Sequence, residues 1–262
     1  MKVVLFCGGL GTRLRDYSEE IPKPLVPLGS LPIMSHVMRY YAHYGHREFI
    51  LCLGYKADMI SRYFLNAPQR VPGEPVIERG VPWIRLATES GEWRVAFADT
   101  GLNANVGMRL KAVENVLGDD DAVFLANYSD GLTDIPLPLI IDEFKKRKAT
   151  AIFLSVRPNT SFHFVRRDGD GRVTSVDDVV KANAWINGGF FVFSREIFNY
   201  IKPGEELVEQ PFQRLIDAGK LYAFEYDGFW RCIDTFKDLQ ALENLLTRGG
   251  APWMVWRTKD AP

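Results

Sequence analysis

The sequence predicts an α/β protein: a mostly parallel sheet flanked by helices, with a small β-hairpin excursion and a C-terminal helix. Three observations predict it. The apolar run Val3-Val4-Leu5-Phe6 ends almost directly on Gly8-Gly9, the mark of a buried strand entering a tight turn. Residues 32–44 then carry apolar side chains at a helical period, 48–53 read as a strand and 57–64 as a helix. That alternation argues for parallel strands joined by crossover helices. The 262 residues are 47 % hydrophobic, enough to fill one large core.

Each later element has its own signal. The first helix is closed by Gly45. Residues 66–92 are rich in proline and glycine and read as an extended loop or arm. Residues 93–98 form a strand ended by Asp99-Thr100-Gly101, and 108–117 a helix with Leu110, Val113 and Leu117 on its apolar face. A buried strand over 122–126 runs into Asn127-Tyr128-Ser129-Asp130-Gly131. A helix over 136–148 and a strand over 150–156 follow. The apolar stretches 162–165 and 172–176 flank Arg167-Asp168-Gly169-Asp170-Gly171 as a hairpin. Asn187-Gly188-Gly189 precedes the run Phe190-Phe191-Val192-Phe193, where glycine lets a backbone approach a ligand closely. Residues 212–218 read as a helix, 221–226 as a strand and 236–247 as an amphipathic helix. The tail, with Trp253 and Trp256, is expected to dock on the body or on another subunit. Residues 1–262 are expected to form one domain, with halves over about 1–135 and 136–235 and a C-terminal helix and tail over 236–262.

Composition excludes several classes of function. Lys and Arg total 32 against 33 for Asp and Glu, so a net charge of -1 offers no basic field for nucleic acid. No segment approaches the length of a membrane span, and the N-terminal apolar run is too short for a secretory signal. Cys7, Cys52 and Cys232 are odd in number and widely spaced. They predict reduced core thiols in a cytoplasmic protein. His36, His43 and His46 lack the partners of a metal set, and surface or capping roles are expected.

The chemistry concentrates in Gly8-Gly9-Leu10-Gly11-Thr12-Arg13-Leu14 and the downstream Pro22-Lys23-Pro24. Gly8, Gly9, Gly11 and Thr12 can turn backbone N–H groups toward one point and cradle phosphate oxygens. Arg13 adds a planar fork for a polyphosphate, and Lys23 a mobile point charge. The string is neither a P-loop, which ends in Gly-Lys-Ser/Thr, nor a dinucleotide fingerprint, which needs glycine where Leu14 stands. Asp130, at a strand's carboxyl end, faces the same sheet edge. It suits Mg²⁺, which takes one or two carboxylates with phosphate and water. A turn aspartate is the alternative. Asp234 stands just before a helix, where an N-cap is the natural role.

These motifs resemble the sugar-1-phosphate nucleotidyltransferases. The resemblance extends over nearly the whole chain through Gly54-Tyr55-Lys56, Asp99-Thr100-Gly101, Arg109-Leu110-Lys111, Ser129-Asp130-Gly131, Trp185-Ile186-Asn187-Gly188-Gly189-Phe190-Phe191, Asp227-Gly228-Phe229-Trp230 and Ala251-Pro252-Trp253. Within that family the sequence is most similar to the glucose-1-phosphate cytidylyltransferases. The resemblance implies a Rossmann-like fold with a nucleotide-binding half and a sugar-phosphate-binding half. It implies a Mg²⁺-dependent attack of glucose 1-phosphate on the α-phosphate of CTP. UTP or dTTP, another sugar or polyol phosphate, or a non-catalytic nucleotide sensor are the alternatives. By resemblance Arg13 and Lys23 are catalytic, Arg109 reaches the base, Ser129 lies at the nucleotide, and Asp130 and Asp234 hold the metal. Lys181, between Val180 and Ala182, takes the place of the lysine that holds the sugar phosphate, with Asn187 and Gly188 nearby. An exposed hairpin lysine is the other reading of Lys181. The partners expected are a nucleoside triphosphate, a sugar 1-phosphate and further copies of the chain in a homo-oligomer.

Overall fold

Val3, Val4 and Leu5 have no exposed surface, and β1 (Lys2–Phe6), which they form, lies near the middle of a nine-stranded sheet. A continuous apolar run without alternation is what a strand buried on both faces requires. The computed structural model describes residues 1–11, 20–118, 120–159, 163–179 and 181–257.

A 3-10 turn at Lys23–Leu25 precedes a two-stranded ribbon, β2 (Pro27–Leu28) and β3 (Leu31–Pro32). Then come α1 (Ile33–His43), β4 (Glu48–Leu53) and α2 (Ala57–Leu65). A meander of β5 (Val76–Glu78), β6 (Val81–Thr88) and β7 (Gly91–Asp99) leads to α3 (Val106–Ala112), β8 (Val123–Asn127) and β9 (Gly131–Thr133). α4 (Leu137–Arg147), β10 (Ala151–Val156) and the hairpin of β11 (Phe164–Arg167) and β12 (Val173–Asp177) follow. The chain ends with β13 (Ile186–Ser194), α5 (Gln210–Asp217), β14 (Leu221–Tyr226), β15 (Trp230–Cys232), α6 (Phe236–Thr247) and the tail.

The strand order is β14-β10-β13-β8-β1-β4-β7-β6-β5. β13 runs antiparallel to β10 and β8, and β6 antiparallel to β7 and β5. The other four ladders are parallel, and all the strands of the sheet but β13 and β6 run in one direction, so the sheet is mostly parallel in strand direction. Successive side chains point to opposite faces. Val3, Leu5, Phe49 and Leu51 therefore join the core under α1, α2, α4 and α6, while Val4, Phe6, Ile50 and Cys52 join the core under α3 and α5. Full burial of each aliphatic side chain contributes roughly 1.5–3 kcal/mol.

Two expectations need correction. Residues 66–92 are not simply a loop, because β5 and β6 extend the sheet there. Trp83 faces one core while Ile84 and Leu86 face the other. Arg79 and Gly80, with φ of 51° and 82°, supply the positive-φ pair that a two-residue hairpin turn needs. Pro82 obscures this alternation in the sequence. His36 is not at the surface. It is buried, its Nε2 against the Leu28 carbonyl at 3.0 Å and its Nδ1 accepting from Trp253 Nε1 at 3.3 Å. Trp253 also stacks on Phe229, so the tail docks on the body of the same chain. Cys7 and Cys52 are buried free thiols and Cys232 a half-buried one. Among the described residues no helix is long and apolar enough to cross a membrane.

Candidate active site

The parallel strands β1, β4, β7 and β8 all end on one edge of the sheet, where ligands of such sheets bind. A cavity of about 670 Å³ opens there, lined by Cys7, Gly9, Gly11, Lys23, Arg109, Ser129, Asp130, Asn187, Gly188 and Asp234 among others.

Its charged centre is assembled from three distant parts of the chain. Lys23 Nζ donates to Asp130 Oδ2 at 2.6 Å and to Asp234 Oδ1 at 2.8 Å. Pro22 and Pro24 restrict the backbone on either side of Lys23, and the Leu25 N–H closes the 3-10 turn on the Pro22 carbonyl. The acids are joined by a two-stranded ribbon. β9 pairs antiparallel with β15, Gly131 opposite Cys232, and the Ile233 N–H donates to the Asp130 carbonyl. Asp234 is not the helix cap. Thr235 caps α6 and forms a capping box with Asp238, which leaves the Asp234 carboxylate to face Lys23. Burial works against the Lys23 charge, but Asp130 and Asp234 outweigh it and raise its pKa above the usual lysine value. Burial likewise pushes the Asp130 carboxyl up, and Lys23 partly offsets it. Among the described residues no third His, Cys, Asp or Glu completes a metal set.

The glycines of the loop differ in their duties. Gly11 has φ 64°, in the left-handed region that glycine adopts at no cost. Gly9 is exposed at the cavity. Gly8 is buried against Arg109. Thr12 and Arg13 lie outside the described residues. Ser129 is buried with φ 68°, and its Oγ donates to the Phe6 carbonyl at 3.0 Å, tying the end of β8 to the end of β1.

Arg109, expected at the base, lies at the cavity wall with only 4 % of its surface exposed. Its guanidinium donates to backbone carbonyls and to Thr100. Asn187 lines the cavity, donates to Tyr128 Oη at 3.2 Å and accepts from the Gly189 N–H at 2.9 Å. Gly188 is held by Trp230, whose Nε1 donates to its carbonyl at 2.8 Å. Lys181 is exposed and does not line the cavity. Sequence reasoning missed Tyr128, Glu206 and Trp230 as lining residues. Tyr128 and Trp230 stand inside quoted motifs, whereas Glu206 carries no local signal.

A second cavity of about 640 Å³, lined by Arg39, His43, Arg47 and Trp93, lies at the amino ends of β4 and β7. It lacks the glycine loop and the acid pair, so the first cavity is the candidate active site.

A strand-end glycine loop, a lysine and two converging carboxylates meet at one cavity, and comparison with known proteins gives the family. The profile described as Nucleotidyl transferase matches residues 2–249. The chain belongs to the nucleotidyl transferase family. It is 36 % identical over 259 residues to the glucose-1-phosphate cytidylyltransferase of Salmonella typhi, covering 98 % of this chain and 100 % of that one. The glucose-1-phosphate cytidylyltransferase of Salmonella typhimurium is similar to the same degree, 36 % over 259 residues with the same coverage. Among solved structures, the UDP-glucose pyrophosphorylase of Acinetobacter baumanii superposes with a TM-score of 0.66 at 18 % identity, over 92 % of this chain and 91 % of that one. That likeness shows the fold. The sequence resemblance to sugar-1-phosphate nucleotidyltransferases therefore stands.

Proposed function

We propose that the protein joins CTP to glucose 1-phosphate, giving CDP-glucose and pyrophosphate. A phosphate oxygen of the sugar phosphate forms a bond to the α-phosphorus of CTP. The bond from that phosphorus to the bridging oxygen breaks, and pyrophosphate leaves with the electron pair. The nucleophile has a second pKa of about 6, so it is anionic at neutral pH and needs no general base. The task left to the protein is to bring mutually repelling phosphates together.

The observation that carries this reading is the meeting of Lys23, Asp130 and Asp234 at 2.6 and 2.8 Å beside the glycine loop. Lys23 steadies the α-phosphate and the incoming phosphate. Arg13 neutralises the departing pyrophosphate, and the amides of Gly8, Gly9, Gly11 and Thr12 take the remaining oxygens. Ser129 holds the nucleotide side of the cavity. Asn187 and Gly188, which line the cavity, serve the sugar phosphate.

Asp130 and Asp234 would hold Mg²⁺. They fit it: both are hard oxygen ligands, both already face one cation, and two carboxylates are the usual protein share at a phosphate-bound Mg²⁺. Bound there, Mg²⁺ supplies neutralisation of the charge on the reacting phosphates. The names of the two Salmonella relatives support CTP and glucose 1-phosphate as the pair.

The test is pyrophosphate release with CTP, UTP and dTTP, each crossed with a panel of sugar 1-phosphates and Mg²⁺. CTP with glucose 1-phosphate is expected to give the highest kcat/KM. A different best pair would replace the substrates and keep the chemistry. Nucleotide binding without release from any pair would make the protein a sensor.

A further inference from the structure

We propose that Asp134 is the positioning residue that fixes where Asp234 stands relative to Asp130 and Lys23. It acts through Phe229 and Tyr226 from outside the cavity, which it does not line. The proposal rests on the nucleotidyl-transfer reading above, which makes Lys23, Asp130 and Asp234 the reacting centre.

Among the described residues β9 and β15 pair only with each other, over three residue pairs. An isolated two-stranded ribbon is marginal by itself, and a slip of one residue turns every side chain to the other face. Asp234 reaches Lys23 in one register, so that register has to be held from outside the ribbon. At the site end the ladder closes with the Ile233 N–H on the Asp130 carbonyl at 3.2 Å.

At the far end Asp134 stands opposite Phe229, the next pair in the same register. The Asp134 N–H donates to the Phe229 carbonyl at 3.3 Å, as in an antiparallel ladder. The return bond comes from the side chain: the Phe229 N–H donates to Asp134 Oδ1 at 2.9 Å. The same oxygen accepts from Tyr226 Oη at 2.7 Å. One carboxylate oxygen thus gathers both ends of the linker 226–229, which joins β14, at an edge of the main sheet, to β15. Thr133 Oγ1 adds a bond to the Phe229 carbonyl at 2.7 Å.

Gly228 leaves room for this. A Cβ there would lie 2.2 Å from Cζ and 2.3 Å from Oη of Tyr226. Tyr226 folds back over Gly228 to reach Asp134, and any side chain at 228 would push its hydroxyl off the carboxylate.

The neighbouring residue is tied to the third arm of the site. The Ile135 carbonyl accepts from Tyr40 Oη at 2.8 Å, and Tyr40 lies on α1. α1 begins at Ile33, whose N–H donates at 3.0 Å to the carbonyl of Val26, the residue that ends the Lys23 turn. Lys23, Asp130 and Asp234 are therefore all referred to residues 134–135.

The experiment compares wild type with Asp134→Asn, which keeps the accepting Oδ1, and Asp134→Ala, which removes it. Three quantities are read on folded protein: kcat with CTP and glucose 1-phosphate, the Mg²⁺ concentration for half-maximal rate, and amide exchange of Ile233 without nucleotide. In Asp134→Ala, kcat is expected to fall by about tenfold to a hundredfold, as when a reacting group is displaced by about 1 Å. The Mg²⁺ requirement is expected to rise by about tenfold or more, the usual effect of losing a group that orients metal ligands. Ile233 exchange is expected to accelerate. Asp134→Asn is expected to stay close to wild type in all three. A residue that only stabilised the fold would lower Tm and leave the Mg²⁺ requirement alone. Wild-type Mg²⁺ requirement or wild-type Ile233 exchange in folded Asp134→Ala would overturn the proposal. So would an Asp134→Asn variant as impaired as Asp134→Ala, because the hydrogen bonds would then not be the cause. If Asp134→Ala does not fold, Tyr226→Phe, which deletes one of the two donors, repeats the test with the same signs at smaller size. If wild type releases pyrophosphate from no pair, the transfer reading fails. Ile233 exchange still decides whether Asp134 holds the ribbon.

Discussion

Asp130 stands just before β9 and Asp234 just after β15, yet each places a carboxylate oxygen on the same atom, Lys23 Nζ, at 2.6 and 2.8 Å. Without the ammonium the two acids would face each other across a half-buried gap. Like charges so placed repel, and a cation between them is what makes the arrangement tolerable.

That relationship has a test in metal dependence. Replacing Lys23 by Met leaves the two carboxylates in want of a cation. Mg²⁺ alone is expected to raise the Tm of Lys23→Met more than that of wild type, measured by thermal shift across a Mg²⁺ titration. Asp130→Asn is expected to abolish the difference. In wild type, a chelator is expected to stop pyrophosphate release and added Mg²⁺ to restore it. Turnover that survives chelation would remove Asp130 and Asp234 from metal binding.

Thr235 and Asp234 are neighbours with separable duties. Thr235 caps α6 and Asp234 faces the cavity. Thr235→Ala is expected to cost about 1 kcal/mol in urea unfolding, the ordinary worth of an N-cap. Asp234→Asn is expected to leave that cap intact and to depress kcat instead. Equal stability losses in the two variants would mean that Asp234 shares the capping.

His36 links the tail to the body through a definite tautomer. Trp253 Nε1 can only donate and the Leu28 carbonyl can only accept, so Nδ1 is the acceptor and Nε2 carries the proton. Burial, together with the nearby Arg39 and Arg257 charges, lowers the His36 pKa below 6.5, although the Leu28 bond opposes this. The unfolded chain therefore takes up a proton at a higher pH than the folded one. Stability is present above about 6.5 and declines as pH falls toward the folded value. His46, lowered to about 4 by burial and by the N-terminal ammonium, adds a slope of the same sign. Urea unfolding from pH 7.5 to 5 is expected to show a shallower loss in His36→Gln than in wild type. Identical slopes would contradict the assignment.

Much of the site was legible because its parts are local. An apolar run ending in glycine marks β1 and the loop, and Asp130 before glycine at a strand end marks the same edge. What stayed hidden depends on distant pairing. Nothing near Asp234 says that β15 will lie beside β9 and carry it to Asp130. Nothing near Arg109 says that its guanidinium will reach the carbonyls of Gly8 and Leu53. β5 and β6 escaped because Pro82 and the Arg79-Gly80 turn resemble loop composition. His36 escaped because its partner, Trp253, lies in the tail.

The most direct measurement is the single-turnover rate of pyrophosphate release from saturating CTP and glucose 1-phosphate in Lys23→Ala. Removing a charge-stabilising group is expected to slow that step by about two orders of magnitude or more. CTP binding, followed by calorimetry, is expected to persist. A rate equal to that of wild type would show that the phosphates react away from Lys23, and the site described above would not be where the chemistry occurs.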